Sequence, residues 1–211
     1  MNREFSPRNT MFVFDIHGVL CKAQPSKIFA LLWQSPYKYT ILRSMFYPPL
    51  WLDAFRLWRE DAVAGTYLAK IKTRYPKLIP CIPLFIHMAN SQKPNEPVLE
   101  IIKTLKEQGY ALHILSNIDD EILRDLRTTP CGRVLTYFDE VVGTEAHSYG
   151  KPSLDIYKDF IEQHNPERKT MIFIDNKRRN VRGARQAGMV GILFKNGKQL
   201  RKVLNTMSVL Q

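Results

Sequence analysis

The second half of the chain alternates short apolar segments with longer amphipathic ones, and this alternation constrains the fold most. The short segments have the length and composition of buried strands and cover residues 110–117, 138–144, 170–176 and 189–194. The longer segments predict helices over residues 96–109, 119–129, 153–164, 178–188 and 197–207. Strands that alternate with helices form a parallel, doubly wound sheet with helices on both faces. The sequence therefore predicts an α/β fold.

A further apolar run near the start of the chain predicts the first strand of this sheet. Residues 11–20 read MFVFDIHGVL, so that Asp15 follows the apolar run directly and His17 and Gly18 come next. A buried carboxylate is costly unless it is paired or bound to a cation. Ligands of doubly wound sheets bind beyond the carboxyl ends of the strands. Asp15 is therefore a candidate catalytic residue.

The stretch between this strand and the regular alternation has a different composition. It contains all three tryptophans (Trp33, Trp51 and Trp58) and shows helical periodicity with breaks at prolines. We predict a helical cap domain over residues 23–95, inserted after the first strand into a core domain of residues 1–22 and 96–211. Aromatic residues at helical spacing favour core packing, with some apolar side chains on the underside of the cap.

Composition limits the classes of protein and of partner. The net charge of +11 favours an anionic partner, such as a small phosphorylated compound or nucleic acid, although a solvated basic surface explains it equally well. The three cysteines are far apart, which predicts free thiols in a reducing compartment. No secretory signal and no membrane-spanning segment is recognisable, and we expect a cytoplasmic protein. The oligomeric state is not readable.

Three later segments extend the pattern that begins at Asp15. Ser116 and Asn117 follow an apolar strand in ILSN, and Lys151 opens KPSLDIY before a helix. The last segment, IFIDNKRRNVRGARQAG, carries Asp175 and Asn176. Together with MFVFDIHGVL, these segments resemble in order and spacing the four motifs of the haloacid dehalogenase superfamily of hydrolases and phosphotransferases. The resemblance implies a Rossmann-like sheet with a helical cap.

The resemblance also implies a chemistry, that of a Mg²⁺-dependent phosphomonoester hydrolase. Asp15 would be the nucleophile that forms an aspartyl-phosphate, and Ser116, Asn117 and Lys151 would bind the phosphoryl group. The implied Mg²⁺ ligands are the carboxylates of Asp15 and Asp175, the backbone carbonyl of His17, and Asn176. Mg²⁺ favours such oxygen ligands together with several waters and substrate phosphate.

Two positions depart from the family pattern. His17 stands where the family usually has a second aspartate that serves as general acid–base, and Asn176 replaces the second aspartate of the last motif. A histidine is well suited to proton transfer, but a nearby cation disfavours its protonated form. Altered or slow acid–base chemistry is therefore expected. The alternatives are a catalytically degenerate domain that binds an anionic ligand, nucleic acid or a protein partner, and a carbon–halide hydrolase.

The remaining basic and histidine residues carry weaker hypotheses. The basic run Lys177, Arg178, Arg179, Arg182 and Arg185 predicts a positive stripe on one helix, which nucleic acid binding would require but which solvent exposure also explains. The histidines outside the first motif show no metal-ligand spacing. We interpret His113 as a core histidine with satisfied hydrogen bonds and expect that His147 could approach the site.

Overall fold

The computed structural model describes residues 5–60, 64–143 and 150–210. In chain order, its strands are β1 (Thr10–Phe14), β2 (Cys21–Ala23), β3 (Gln92–Pro94), β4 (Ala111–Leu115), β5 (Glu140–Val142), β6 (Thr170–Asp175) and β7 (Val190–Leu193). Its α-helices are α1 (Pro25–Gln34), α2 (Lys38–Ser44), α3 (Pro48–Glu60), α4 (Ala64–Arg74), α5 (Ile82–Ala89), α6 (Glu96–Glu107), α7 (Asp120–Thr128), α8 (Gly132–Leu135), α9 (Leu154–His164), α10 (Arg178–Gln186) and α11 (Gly197–Thr206). A 3₁₀ helix covers Pro76–Cys81.

Five strands form a parallel sheet in the order β5-β4-β1-β6-β7, which confirms the predicted α/β fold. The chain order of the strands reverses beside β1, and β4 and β6 flank this central strand. The carboxyl ends of β4, β1 and β6 therefore meet at the same edge of the sheet. This is the position at which open α/β sheets bind their ligands.

Apolar side chains pack on both faces of the sheet, as the alternation of strands and helices predicts. Alternate residues of β1 point to opposite faces. Phe12 and Phe14 belong to the larger core cluster, whereas Met11 and Val13 belong to a second cluster with residues of α9.

The boundaries of the core helices follow local sequence signals. α6 presents a fully buried apolar face that includes Leu105, and the chain leaves this helix at Gly109 with a φ of +84°. Asp119 caps α7, since its side chain accepts a hydrogen bond from the backbone N–H of Ile122 at 2.8 Å. Ser153 occupies the corresponding position before α9, but its side chain makes no capping hydrogen bond.

A helical segment, α1 to α5, lies in the chain between two short strands that pair antiparallel with each other. β2 precedes this segment and β3 follows it, with Ala23 paired to Gln92. The helix α5 packs into the main core, whereas Ile41, Tyr75 and Leu78 belong to a small separate cluster. Within the segment, Asp53 is buried and accepts a hydrogen bond from the Tyr75 hydroxyl at 2.5 Å. The segment is thus held to the core chiefly through its last helix and the β2–β3 strand pair.

The expectation that the aromatic residues of this segment pack in a core is wrong for several of them. Phe29 and Trp33 stack on each other at a ring-centroid distance of 6.2 Å, yet they are 64% and 61% exposed. Trp51 is also half exposed. The side chain of Trp58 lies outside the described residues. Helical periodicity predicted these helices correctly, but it does not tell whether another element covers their apolar faces. In α1, no residue is fully buried.

The three cysteines are free thiols with buried side chains, as predicted. Burial and a contact with Cys131 raise the pKa of the Cys21 thiol, the contact being the larger cause. A thiol with a raised pKa is a weak nucleophile and a weak metal ligand. Over the part of the chain that the structure describes, no helix is both long and apolar enough to cross a membrane.

Candidate active site

Asp15 lies directly after the central strand β1 and is held by two hydrogen-bond donors. Its Oδ1 accepts a hydrogen bond from the Ser116 hydroxyl at 3.0 Å and from the Lys151 ammonium at 2.8 Å. Ser116 follows β4, which pairs with β1, so the strand register brings the two side chains together. Both donors address Oδ1, and within the described part of the chain no side-chain hydrogen bond engages Oδ2, which is therefore available for another ligand or for reaction.

Lys151 is the cation that organises the site. It is almost fully buried, and its three ammonium protons have three acceptors: Asp15 Oδ1 at 2.8 Å, Asp175 Oδ2 at 3.0 Å and the Leu115 carbonyl at 2.7 Å. Burial by itself lowers the pKa of Lys151, but the two carboxylates outweigh burial and raise this pKa above its ordinary value. The side chain therefore stays charged at neutral pH.

Asp175 ends β6 on the other side of β1 and is fully buried. Its Oδ2 also accepts a hydrogen bond from the Asn180 amide at 2.9 Å, and its Oδ1 accepts one from the backbone N–H of Lys177 at 2.7 Å. Burial raises the pKa of Asp175, but the charge of Lys151 and these hydrogen bonds together hold it below its usual range. Asp175 is therefore a carboxylate at neutral pH.

Asn117 positions the backbone that carries Lys151. Its side-chain amide donates a hydrogen bond to the Lys151 carbonyl, and its Oδ1 accepts one from the Lys151 backbone N–H, both at 2.8 Å. A Cβ atom at Gly150 would come within 2.9 Å of Asn117 Oδ1, so this contact requires a glycine. Asn117 therefore contacts the backbone of the segment that carries Lys151 (the lysine loop), whereas the sequence suggested that Asn117 binds substrate.

His17 contacts a residue to which no sequence motif points. Its Nδ1 lies 2.6 Å from the Nε2 of Gln92, the residue that pairs β3 with β2. The same Gln92 amide donates a hydrogen bond to the Ala89 carbonyl. An amide NH₂ can only donate, so His17 accepts at Nδ1 and the neutral ring carries its proton on Nε2. No motif at Gln92 signals this contact, because the contact depends on the register in which β2 pairs with β3.

Gly18 allows the first and last motifs to approach closely. It adopts a φ of +84°, and a Cβ atom at this position would lie 2.2 Å from Asn176 Nδ2. Asn176 itself is exposed at the edge of the site. Its amide thus packs against the turn that follows Asp15, which places a neutral polar group where an aspartate would add negative charge.

The structure changes the interpretation of the basic run on α10. Arg185 lies over the adjacent strand, and its guanidinium donates two hydrogen bonds to the Gly191 carbonyl, at 3.1 Å and 2.6 Å. One arginine of the predicted positive stripe therefore caps a backbone carbonyl of the sheet. Lys177, Arg178 and Arg182 are exposed. His147 lies outside the described residues.

Among the described residues, Asp15 and Asp175 share one ammonium in a largely buried site, which leaves one negative charge of the pair without a buried counter-charge. The remaining donor atoms are hard oxygens on Asp15, Asp175, Asn176 and the backbone. This donor set fits Mg²⁺, which takes carboxylate and carbonyl oxygens and retains several waters. The arrangement can hold an anion next to a fixed carboxylate, because Lys151 and a bound cation would offset the repulsion between them.

Comparison with known proteins identifies the family. The family model of haloacid dehalogenase-like hydrolases matches residues 10–188 of this chain. The magnesium-bound putative hydrolase YfnB from Bacillus subtilis superposes with a TM-score of 0.65 at 13% identity, covering 94% of this chain and 99% of that one. The enzyme BT-2542 from Bacteroides thetaiotaomicron, in complex with magnesium and inorganic phosphate, gives a TM-score of 0.59 at 17% identity, covering 90% and 96%.

Curated relatives match shorter stretches. The sesquiterpene phosphatase astK of Aspergillus oryzae is 29% identical over 100 residues, which is 47% of this chain and 50% of the relative. Bifunctional epoxide hydrolase 2 of Sus scrofa is 25% identical over 140 residues, covering 65% of this chain and 25% of the relative. The chain thus spans a quarter to a half of the length of these relatives. Together with the fold, the family match over most of the chain shows that the protein belongs to the haloacid dehalogenase-like hydrolases.

Proposed function

We propose that the chain is a Mg²⁺-dependent phosphomonoester hydrolase that acts through an aspartyl-phosphate on Asp15. The observation that carries this proposal is the sharing of the buried Lys151 ammonium by Asp15 and Asp175 at the carboxyl ends of adjacent strands. This arrangement fixes a nucleophile next to a positive charge. The phosphatase relative and the phosphate-bound structural neighbour support the choice of a phosphoryl group.

In the proposed reaction, the Asp15 carboxylate attacks phosphorus in line and the bond from phosphorus to the leaving oxygen breaks. The leaving oxygen takes up a proton from solvent, and water then attacks the aspartyl-phosphate and gives up a proton to solvent, which releases inorganic phosphate and restores the carboxylate. Ser116 and Lys151 would turn part of their hydrogen bonding toward the phosphoryl oxygens. Mg²⁺, held by Asp15, Asp175, Asn176 and the His17 carbonyl, would neutralise charge on the phosphoryl group.

His17 sets the expected weakness of this reaction. With its Nδ1 held by Gln92, the ring presents a neutral Nε2–H, which is a poor acid for an alkoxide leaving group. Esters with good leaving groups, such as aryl phosphates and acyl phosphates, need little protonation. We therefore propose that such compounds are hydrolysed faster than alkyl phosphates. The helical segment of residues 23–95 would act as the cap over the site and would choose the organic part of the substrate.

The test compares wild type with Asp15→Asn on an aryl phosphate and on acetyl phosphate, with and without Mg²⁺. The expected result is Mg²⁺-dependent release of phosphate that is lost in Asp15→Asn. Ser6→Ala, in the exposed N-terminal turn, is the matched control and should retain full activity. Equal activity of Asp15→Asn and wild type would contradict the proposal.

A non-catalytic function is the second candidate, and a specific observation favours it. Both departures from the family pattern, His17 and Asn176, lie at the site, and the Asn176 amide packs against the turn at Gly18. Such a protein would bind phosphate or Mg²⁺ without turnover. Binding of inorganic phosphate in a calorimeter, with no hydrolysis of either ester, would support this candidate over the hydrolase.

A further inference from the structure

A second cluster of metal-binding side chains lies on a different part of the sheet from Asp15. His113, Glu140 and His164 each bring one ligand atom to within 4.8 Å of the others. Glu140 Oε2 lies 2.7 Å from His164 Nδ1 and 3.7 Å from His113 Nδ1. The histidines are far apart in sequence, so their spacing gave no sign of this cluster.

Three separate elements build the cluster. His113 in β4 pairs in register with Glu140, the first residue of β5, so their side chains are neighbours on one face of the sheet. The helix α9 covers this face, and its last residue is His164. Phe160, one turn earlier on α9, packs against both imidazole rings, with ring-centroid distances of 6.2 Å and 4.8 Å. The packing of α9 therefore directs both histidines toward the carboxylate.

One nitrogen of this cluster has no hydrogen-bond partner among the residues that the structure describes. His113 is only 13% exposed, and its buried Nδ1 finds no partner in residues 5–60, 64–143 and 150–210, so the expectation of a satisfied core histidine is wrong. A buried polar atom without a partner is costly and uncommon in folded proteins. At 3.7 Å from Glu140 Oε2, this nitrogen is too far from the carboxylate for a hydrogen bond but close enough for both atoms to share an ion.

We propose that His113, Glu140 and His164 form a binding site for a divalent transition metal such as Zn²⁺. Two imidazoles and one carboxylate are typical ligands of Zn²⁺, whereas Mg²⁺ prefers oxygen ligands alone. Tetrahedral ligation with bonds of about 2.0–2.1 Å places ligand atoms roughly 3.3–3.4 Å apart. The observed separations of 2.7 Å and 3.7 Å lie on either side of this value, so small side-chain rotations suffice.

The proposed ion would join the edge strand β5, its neighbour β4 and the end of α9. Residues 143–153, between β5 and α9, carry Lys151. Metal binding would thus tie together the two elements that flank the lysine loop, as a structural site with one coordination position open to water. This inference does not depend on the proposed hydrolase activity.

The test titrates Co²⁺ into the chelator-treated full chain with excess Mg²⁺ present, so that the oxygen site at Asp15 is occupied. The expected result is about one equivalent of Co²⁺ with the visible absorption of a four- or five-coordinate nitrogen-ligated ion, which Zn²⁺ then displaces. His113→Gln and His164→Gln should each weaken binding by at least about tenfold. His87→Gln is the matched control: His87 lies 3.7 Å from Asp125 and belongs to no metal-binding cluster of the described residues, so the Co²⁺ affinity of this variant should equal that of wild type.

Two results would overturn the proposal. One is unchanged Co²⁺ affinity in both His113→Gln and His164→Gln. The other is loss of the visible absorption in Asp175→Asn but not in His164→Gln, which would place the ion at the Asp15 site. If His113→Gln does not fold, as judged by circular dichroism, His164→Gln at the end of α9 decides the test alone.

Discussion

The carboxyl-terminal edge of the sheet, where Asp15, Lys151 and Asp175 lie, differs in construction from the helical segment that follows β2. At the sheet edge, each ammonium proton of the buried Lys151 has an acceptor, and Asp15 and Asp175 are fixed by several donors. In α1 to α3, large aromatic side chains such as Phe29 and Trp33 remain exposed. The groups proposed for chemistry are therefore held in place before substrate binds, whereas the proposed cap presents an exposed apolar surface.

Removal of the shared cation is expected to have the largest effect. Lys151→Met leaves two buried carboxylates without their partner, and breaking a buried pair in this way costs about 3–5 kcal/mol of unfolding free energy. Urea denaturation with and without the substitution measures this loss. Lys103→Met is the matched control: Lys103 lies at the surface and pairs with Glu100, so its substitution should change the free energy of unfolding far less than Lys151→Met does.

The pH dependence of this variant gives a second test of the same pairing. In wild type, Asp175 has a lowered pKa, so it contributes stability above its ordinary value of 3.8, which is lost as the pH falls further. Lys151 has a raised pKa, so its contribution is present below 10.5 and is lost as the pH rises through the folded value. Without Lys151, acidification should instead recover part of the lost stability, because it neutralises the unpaired carboxylates. A variant that gains no stability relative to wild type as the pH falls from 7 to 5 would contradict this.

Truncation of apolar side chains should separate the two regions. Leu105→Ala, in the fully buried face of α6, is expected to cost about 2–5 kcal/mol. Trp33→Ala removes a larger side chain that is mostly exposed, and we expect a change within about 0.5–1 kcal/mol. Urea denaturation measures both. A loss for Trp33→Ala as large as for Leu105→Ala would show that another part of the protein covers the α1 surface.

Exchange of the groups around His17 should sharpen the account of the sheet edge. His17→Asp would supply a carboxyl acid–base and is expected to raise the turnover of alkyl phosphates by about tenfold or more. Gln92→Glu would place a carboxylate against Nδ1, favour the protonated ring and give a smaller gain. Steady-state rates on alkyl and aryl phosphates measure both, and Gln92→Leu is the control without a charge. Equal or lower alkyl phosphate rates in His17→Asp would refute the proposed role of His17.

The smallest effect is expected at two glycines with the same backbone conformation. Gly18 and Gly109 both have a φ of +84°, so alanine at either position should cost about 1 kcal/mol. Nothing lies within 4 Å of a Cβ at Gly109, whereas a Cβ at Gly18 would meet the Asn176 amide. Only Gly18→Ala should therefore weaken Mg²⁺ affinity, as calorimetry would measure. Equal Mg²⁺ affinity in the two variants would mean that the Asn176 contact is not part of the site.

The sequence predicted those features that depend on local chemistry. Strand–helix alternation predicted the parallel sheet and the helices over residues 96–109 and 119–129, and the structure confirms the sheet and has α6 and α7 at these places. The resemblance also named Asp15 and Lys151, and the fold brings these side chains together although 136 residues separate them. Their catalytic roles stay a prediction.

The features that the sequence did not predict depend on tertiary register. Gln92 contacts His17 because of the register in which β3 pairs with β2, and the local sequence around neither residue indicates this contact. His113, Glu140 and His164 meet only because β5 pairs with β4 and α9 covers them. The exposure of Trp33 also could not be inferred, since helical periodicity is the same whether or not a neighbouring element packs against the apolar face.

The most direct test of the central claim is to trap the covalent intermediate. Wild type would be mixed with an aryl phosphate and Mg²⁺, quenched in acid and reduced with borohydride, which converts an acyl phosphate on aspartate to homoserine. Peptide mass spectrometry would then locate the change. An aspartyl-phosphate on Asp15 would give homoserine at position 15 in wild type and none in Asp15→Asn. Steady phosphate release with no modification at position 15, or with the modification on another aspartate, would contradict it.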